Sequence, residues 1–125
     1  MAGGHLWLEP QQQVPISSNI KFERLVLMCP ATGFFQAPNA LNQITTPFQL
    51  WMGHKDQITP SAQVKLLSNI LKNKIPIDER IEAEANHFSF MNILPPNISD
   101  SHPDRDQFLS YLSTQIQQYL LQKTP

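Results

Sequence analysis

Hydrophobic and polar positions along this chain fall into short blocks with abrupt stops. Leu25-Val26-Leu27-Met28-Cys29 is continuously apolar and partly β-branched, as in a strand covered on both faces. With Phe22-Glu23-Arg24 before it, it predicts a strand ending at Cys29, after which Pro30 and Gly33 open a loop. Asn39 to Gln43 reads as one helical turn. Phe48-Gln49-Leu50-Trp51-Met52, introduced by Pro47 and stopped by Gly53, predicts a second strand. At Thr59-Pro60 a helix begins, with Thr59 as its N-cap and Pro60 in its first turn. Val64, Leu67, Ile70 and Leu71 then recur at helical spacing as far as Asn73.

Asp78 to Ala83 predicts a short third strand despite poor strand propensity. Residues 91–100 form a loop broken by Pro95-Pro96. A last helix starts near 101–104, with acids in its first turn that suit the positive end of the helix dipole. Phe108, Leu112, Ile116 and Tyr119-Leu120 form its apolar stripe, which faces a core or a second copy of the chain. Strand, strand, helix, strand, helix in that order predicts an α/β fold of about three parallel strands with flanking helices, spanning residues 20–125. Residues 1–19, with two prolines and a glutamine run, read as an irregular N-terminal segment. Such a sheet is small for strands buried on both faces, so the chain reads as part of something larger.

Composition narrows the function. Nine Lys and Arg against ten Asp and Glu leave a formal charge of −1, which argues against a surface that tracks nucleic-acid phosphates. Charged residues are 15% of the chain, against roughly 25% in ordinary soluble domains, so the surface is weakly protected from self-association. One cysteine excludes an internal disulfide and a cysteine-based zinc cluster. No apolar run nears the roughly 18–20 residues a bilayer demands, and Met1 to His5 lacks the basic start of a secretory signal. The expectation is a cytoplasmic protein without a membrane or nucleic-acid partner, and nothing indicates a cofactor.

Two residues carry candidate chemistry. Asp56 lies just past the second strand and just before a helix, at the carboxyl end where open α/β sheets meet their ligands. Thirty-one residues later, His87 lies just past the third strand. Parallel neighbours would aim the carboxylate and the imidazole into one crevice, where the acid fixes the tautomer of the base. The plainer alternatives are an Asp56 that caps the following helix or forms an Asx turn, and a His87 that is a structural histidine. His5, His54 and His102 read as surface residues. Metal binding by His54, Asp56 and His87 lacks a helical His pair or a second carboxylate to support it. Cys29, inside an apolar strand, reads as a small core hydrophobe, and Phe22, Phe48 and Trp51 as strand core. Phe34-Phe35 and Phe88-Phe90 either line a substrate pocket or bury loop backbone.

From about Lys21 to Met91 the chain resembles the C-terminal half of an α/β-hydrolase, close to the dienelactone-hydrolase-like esterases. The resemblance rests on Gly53-x-x-Asp56-x-x-x-Pro60 after a strand, on His87-Phe88 after the next, and on Leu27-Met28-Cys29-Pro30-Ala31 before both. It covers a little over half of the chain and implies a partial α/β-hydrolase fold, with Asp56 as triad acid and His87 as base. The implied reaction is serine-ester hydrolysis of a small ester. One departure is large: these enzymes carry their nucleophile on a Gly-x-Ser-x-Gly elbow upstream of both partners, and no such motif occurs here. Met1-Ala2-Gly3-Gly4 resembles the end of the helix that follows the elbow, so residues 1–19 are expected to be its remnant. The expectation is therefore a fragment with acid and histidine but no serine, inactive alone. It would persist as a self-associating module, a homo-oligomer, or one half of a split hydrolase completed by a missing N-terminal half.

Overall fold

The computed structural model of the chain describes residues 7–9, 12–15 and 20–123. Strands β1 (Trp7–Glu9) and β2 (Gln12–Gln13) pair antiparallel, where the sequence predicts irregular chain. The helix remnant expected at Met1 to Gly4 lies outside the described residues, as does His5. Strands β3 (Leu25–Met28), β4 (Phe48–Gly53) and β5 (Ile77–Glu82) form a parallel sheet in that order, with β4 in the middle. Helices α1 (Ser61–Leu71) and α2 (Arg105–Leu121) cover it, giving the small α/β fold the pattern predicts.

Period-two alternation along β4 divides its side chains between two cores. Phe48, Leu50 and Met52 pack with Val64, Leu67 and Leu71 of α1 and with Leu41 and Ile75. Trp51 points the other way, into a second core with Cys29, Ala85, Phe90 and with Phe108 and Leu112 of α2. The two helices thus lie on opposite faces of the sheet. Every residue of β4 is buried, and fully burying a side chain such as Leu50 or Met52 is worth roughly 1.5–3 kcal/mol.

Gln49 shares the face of Trp51 and is equally buried, so its amide must find partners. It accepts from the Trp51 indole N–H at 2.7 Å and donates to Asp78 Oδ2 at 2.8 Å, while Arg80 Nε donates to Asp78 Oδ1 at 2.7 Å. This chain of polar contacts explains how Asp78-Glu79-Arg80, poor by propensity, forms a strand: the charges on one face neutralise each other and satisfy a buried neighbour.

Several boundaries differ from the expectation. Strand β3 starts at Leu25, and Phe22 is 43% exposed instead of core. Cys29 lies just beyond β3, not inside it, in a left-handed conformation with φ 45°. Residues 38–43 make hydrogen-bonded turns, with Asn39 at φ 65°, in place of a regular helical turn. Along α2, Phe108, Leu112 and Tyr119 are buried while Leu120 is exposed. The helix starts at Arg105, with Asp104 as N-cap accepting from Gln107 N at 3.1 Å. His102 is no surface residue, because its ring stacks on Phe108 at 5.0 Å and its side chain is 7% exposed. No helix among the described residues is long and apolar enough to cross a membrane.

Gly53, the last residue of β4, ties the sheet to the loop beyond β5. A Cβ at this position would meet the Ala85 carbonyl oxygen at 2.5 Å and its carbon at 3.0 Å, both rigid backbone. Gly53→Ala is therefore expected to lower stability by about 1–3 kcal/mol, seen as a lower urea midpoint at unchanged slope. An unchanged midpoint would contradict this close approach.

Candidate active site

The tips of β4 and β5 are laced together by backbone. His54 N donates to Glu82 O at 2.9 Å and Lys55 N to Ala85 O at 3.0 Å. This brings the segment after β4, which carries Asp56, against the segment after β5, which carries His87. Asp56 Oδ2 lies 2.9 Å from His87 Nδ1, so the two residues singled out by the sequence meet. The carboxylate is fully buried within its side chain, while the imidazole is 29% exposed.

The two carboxylate oxygens of Asp56 do different work. Oδ1 accepts from Ile58 N and Thr59 N, both at 2.8 Å, which is the Asx turn weighed as the plainer alternative. Oδ2 faces His87 and the Thr59 hydroxyl, the latter at 2.9 Å. Structural turn and acid–base pair coexist on one side chain. Burial pushes the Asp56 carboxyl up. The Thr59 backbone N–H, the His87 ring, the Cys29 thiol and the Thr59 hydroxyl together outweigh it and hold the group below the usual carboxylate range. With Oδ2 ionised, a bare Nδ1 at 2.9 Å would set two acceptors against each other. The proton is therefore assigned to Nδ1, which leaves the Nε2 lone pair as the basic site.

His87 opens a short 3-10 turn, His87–Phe90, whose position is fixed from behind. Asn86 Oδ1 accepts from Phe88 N at 2.8 Å, and Ser89 Oγ accepts from Asn86 N at 3.0 Å, a reciprocal capping box. Asp100 Oδ1 then accepts from Asn86 Nδ2 at 2.9 Å, Ser89 Oγ at 2.8 Å and His102 N at 3.1 Å. Its Oδ2 pairs with Arg105 Nε at 3.3 Å. Asp100 thus anchors the turn that presents the histidine. The sequence reading places Asp100 in the loop of residues 91–100 and gives it no role.

Thr59 is the other residue missed. Expected to cap α1, it cedes that position to Pro60, which makes no side-chain cap bond. Its buried hydroxyl lies 3.1 Å from Cys29 O and 3.2 Å from His87 Nδ1 as well as near Asp56. The pattern Asp-x-x-Thr was the available signal, since a threonine three residues past an Asx turn can return its hydroxyl to the same carboxylate.

Cys29 reaches this cluster too. Its left-handed backbone, uncommon for a residue with a Cβ, costs on the order of 1–3 kcal/mol and sits at the tip of β3. Burial foremost, then the Asp56 carboxylate, pushes its thiol up to about 12, so it stays protonated at neutral pH. Sγ, an Asp56 carboxylate oxygen and a His87 ring nitrogen all lie within 4.8 Å of one another. Cys29 completes this grouping of potential ligands, whereas His54, weighed with Asp56 and His87 from the sequence and found unsupported, is exposed.

Of the aromatic candidates, Phe90 is core, edge-on to Phe108 at 5.3 Å. Phe88 meets the His87 ring edge-on at 5.5 Å. Phe35 borders a groove against α1, beside Ala62, Gln63 and Leu66. The Phe34 side chain lies outside the described residues. No family model, curated protein or solved structure matches the chain.

A carboxylate held below its usual range stabilises the fold above the unfolded value and loses that contribution as pH falls through the folded one. Asp78 acts with the same sign: burial raises it, but Arg80 and Gln49 lower it further. The urea midpoint is expected to fall as pH drops below about 4. Asp56→Asn should lower stability at neutral pH by about 1–3 kcal/mol and make the acid-side fall shallower. A fall as steep as the parent's would remove Asp56 from this role.

Proposed function

We propose that the chain carries the acid and base of a serine-hydrolase proton relay, as the C-terminal half of an α/β-hydrolase-like esterase. One observation carries the reading: Asp56 Oδ2 and His87 Nδ1 meet at 2.9 Å beyond the carboxyl ends of adjacent parallel strands. In this relay Asp56 orients the ring and stabilises the imidazolium. Nε2 takes a proton from an attacking hydroxyl and returns it to the leaving group. The Thr59 hydroxyl, 3.2 Å from the ring, lies on the Nδ1 side, so it is not the nucleophile. With no Gly-x-Ser-x-Gly elbow in the sequence, the attacking serine and its oxyanion hole are supplied from outside this chain. The substrate is then a small ester, taken only by the completed enzyme. A cytoplasmic setting goes with this reading, since reducing conditions suit a protein with one buried thiol.

A second reading, a non-catalytic self-associating module, is favoured by the flank of β3. Met28 is 43% exposed there. Beside it a groove of about 770 Å³ runs along Leu109, Leu112, Ile116 and Leu120 of α2. Among the described residues β3 pairs only with β4, and such a strand edge next to apolar surface invites pairing with a second copy or with a completing half.

Three outcomes are expected. The purified chain should hydrolyse p-nitrophenyl acetate no faster than its His87→Ala variant; turnover lost in that variant would overturn its inertness. Diethyl pyrocarbonate should modify His87 several-fold more slowly in Asp56→Asn while His54 reacts unchanged, as mass spectrometry would show. Equal His87 rates would sink the relay. Light scattering should give a dimer or larger species, with Met28→Lys shifting it toward monomer. A parent monomeric at high concentration would rule out self-association.

A further inference from the structure

The proton relay does not account for Cys29, the only cysteine in the chain, which is buried against both of its members. Its sulfur, the Asp56 carboxylate and the His87 imidazole come from the tips of three different strands and converge within 4.8 Å. Metal–ligand bonds of about 2.0–2.3 Å put neighbouring tetrahedral ligands roughly 3.3–3.8 Å apart. Asp56 Oδ2 and His87 Nδ1, at 2.9 Å, are already slightly closer than that. The Thr59 hydroxyl, 2.9 Å from Oδ2 and 3.2 Å from Nδ1, stands beside them as a fourth potential donor.

We infer that Cys29 Sγ, Asp56 Oδ2 and His87 Nδ1 form a binding site for a thiophilic divalent cation of the Zn²⁺ type. The donor set selects the class. One sulfur, one imidazole nitrogen and one carboxylate oxygen suit Zn²⁺, whereas Mg²⁺ and Ca²⁺ take all-oxygen shells. The ion occupies the space between the acid and the base, where the hydrogen-bonding proton otherwise sits. On binding, the Cys29 thiol releases its proton to solvent, the Nδ1 proton of His87 moves to Nε2, and the cation takes both vacated lone pairs. No oxidant or reductant is involved. The partly exposed imidazole edge is the route in. Occupation breaks the Asp56–His87 hydrogen bond, so the ion holds the relay off. The inference depends on where three atoms lie and stands or falls apart from the hydrolase reading.

Cobalt tests it directly. The reduced 125-residue chain, titrated with Co²⁺, is expected to bind one equivalent with a near-ultraviolet sulfur-to-cobalt charge-transfer band and the strong visible bands of tetrahedral cobalt. Zn²⁺ should displace both. A single cysteine makes the sulfur band assign itself, even should a variant fail to fold. Cys29→Ser should lose that band and stoichiometric binding while keeping the far-ultraviolet circular dichroism of the parent. His87→Ala should lose the tetrahedral signature. Cobalt binding without a sulfur band, as exposed His54 would give, would overturn the inference. So would a band of equal strength in Cys29→Ser, or no binding at all.

Discussion

A single buried carboxylate holds the strand tips together. Removing an ionised carboxyl from water costs several kcal/mol unless donors replace the lost solvent. Asp56 has its donors on both oxygens: two backbone N–H groups on Oδ1, with the His87 ring and the Thr59 hydroxyl on Oδ2. Each donor belongs to a segment that must be placed. Ile58 and Thr59 lead into α1, His87 starts the turn after β5, and the Cys29 thiol, which also donates to the carboxylate, sits at the end of β3. One charge thus fixes the relative positions of three strand ends and a helix start, and what would be a liability if unpaired becomes a junction.

The sheet beneath makes that junction rigid. Because β4 is buried on both faces and paired on both edges, its end has little freedom, and Gly53 lets the loop after β5 close against it. The polar chain of Trp51, Gln49, Asp78 and Arg80 fastens β4 to β5 from the α2 side, while the aliphatic core fastens β4 to α1. Asp100 performs a parallel service for the histidine, holding Asn86 and Ser89 so that the ring is presented from an ordered turn. Both partners of the pair are therefore braced independently of each other, the condition for a preorganised proton relay.

Much of this was legible in the residues, for identifiable reasons. The apolar run Leu25 to Met28 marks β3, although that strand is only half-buried and Met28 is exposed; the run Phe48 to Met52 marks β4, which is covered on both faces as expected. Helical spacing of Val64, Leu67 and Leu71 gave α1, and the order of elements gave the parallel sheet. Asp56 and His87 were readable because strand ends in such sheets converge on one crevice. What escaped was set by tertiary contact. Thr59 looked like a cap because a threonine before a proline usually is one, yet the Asp56 carboxylate and the Cys29 carbonyl competed successfully for its hydroxyl. Cys29 is core, as its apolar neighbours suggest, but nothing local shows that the chain leaves the strand at that residue with positive φ. His102 looked exposed because the loop around it is polar, but the Phe108 ring across the turn takes it in.

The same crowding sets what the site can hold. Around Oδ2 and Nδ1 there are one shared proton, one hydroxyl and one thiol at close range. With the thiol protonated, the proton wins that space: it satisfies acid and base at 2.9 Å without moving either, and the Nε2 lone pair stays available. With the thiol deprotonated, two negative groups would face each other across a buried gap, which only a cation can relieve. Burial that keeps Cys29 as a thiol therefore also protects the Asp56–His87 pair, and a cation able to pull off the thiol proton is the kind of ligand that can part the two. Serine at position 29 would keep the size and a polar hydrogen while removing the soft donor. The proposed relay and the proposed cation site are thus separable by one atom, although they occupy the same few ångströms.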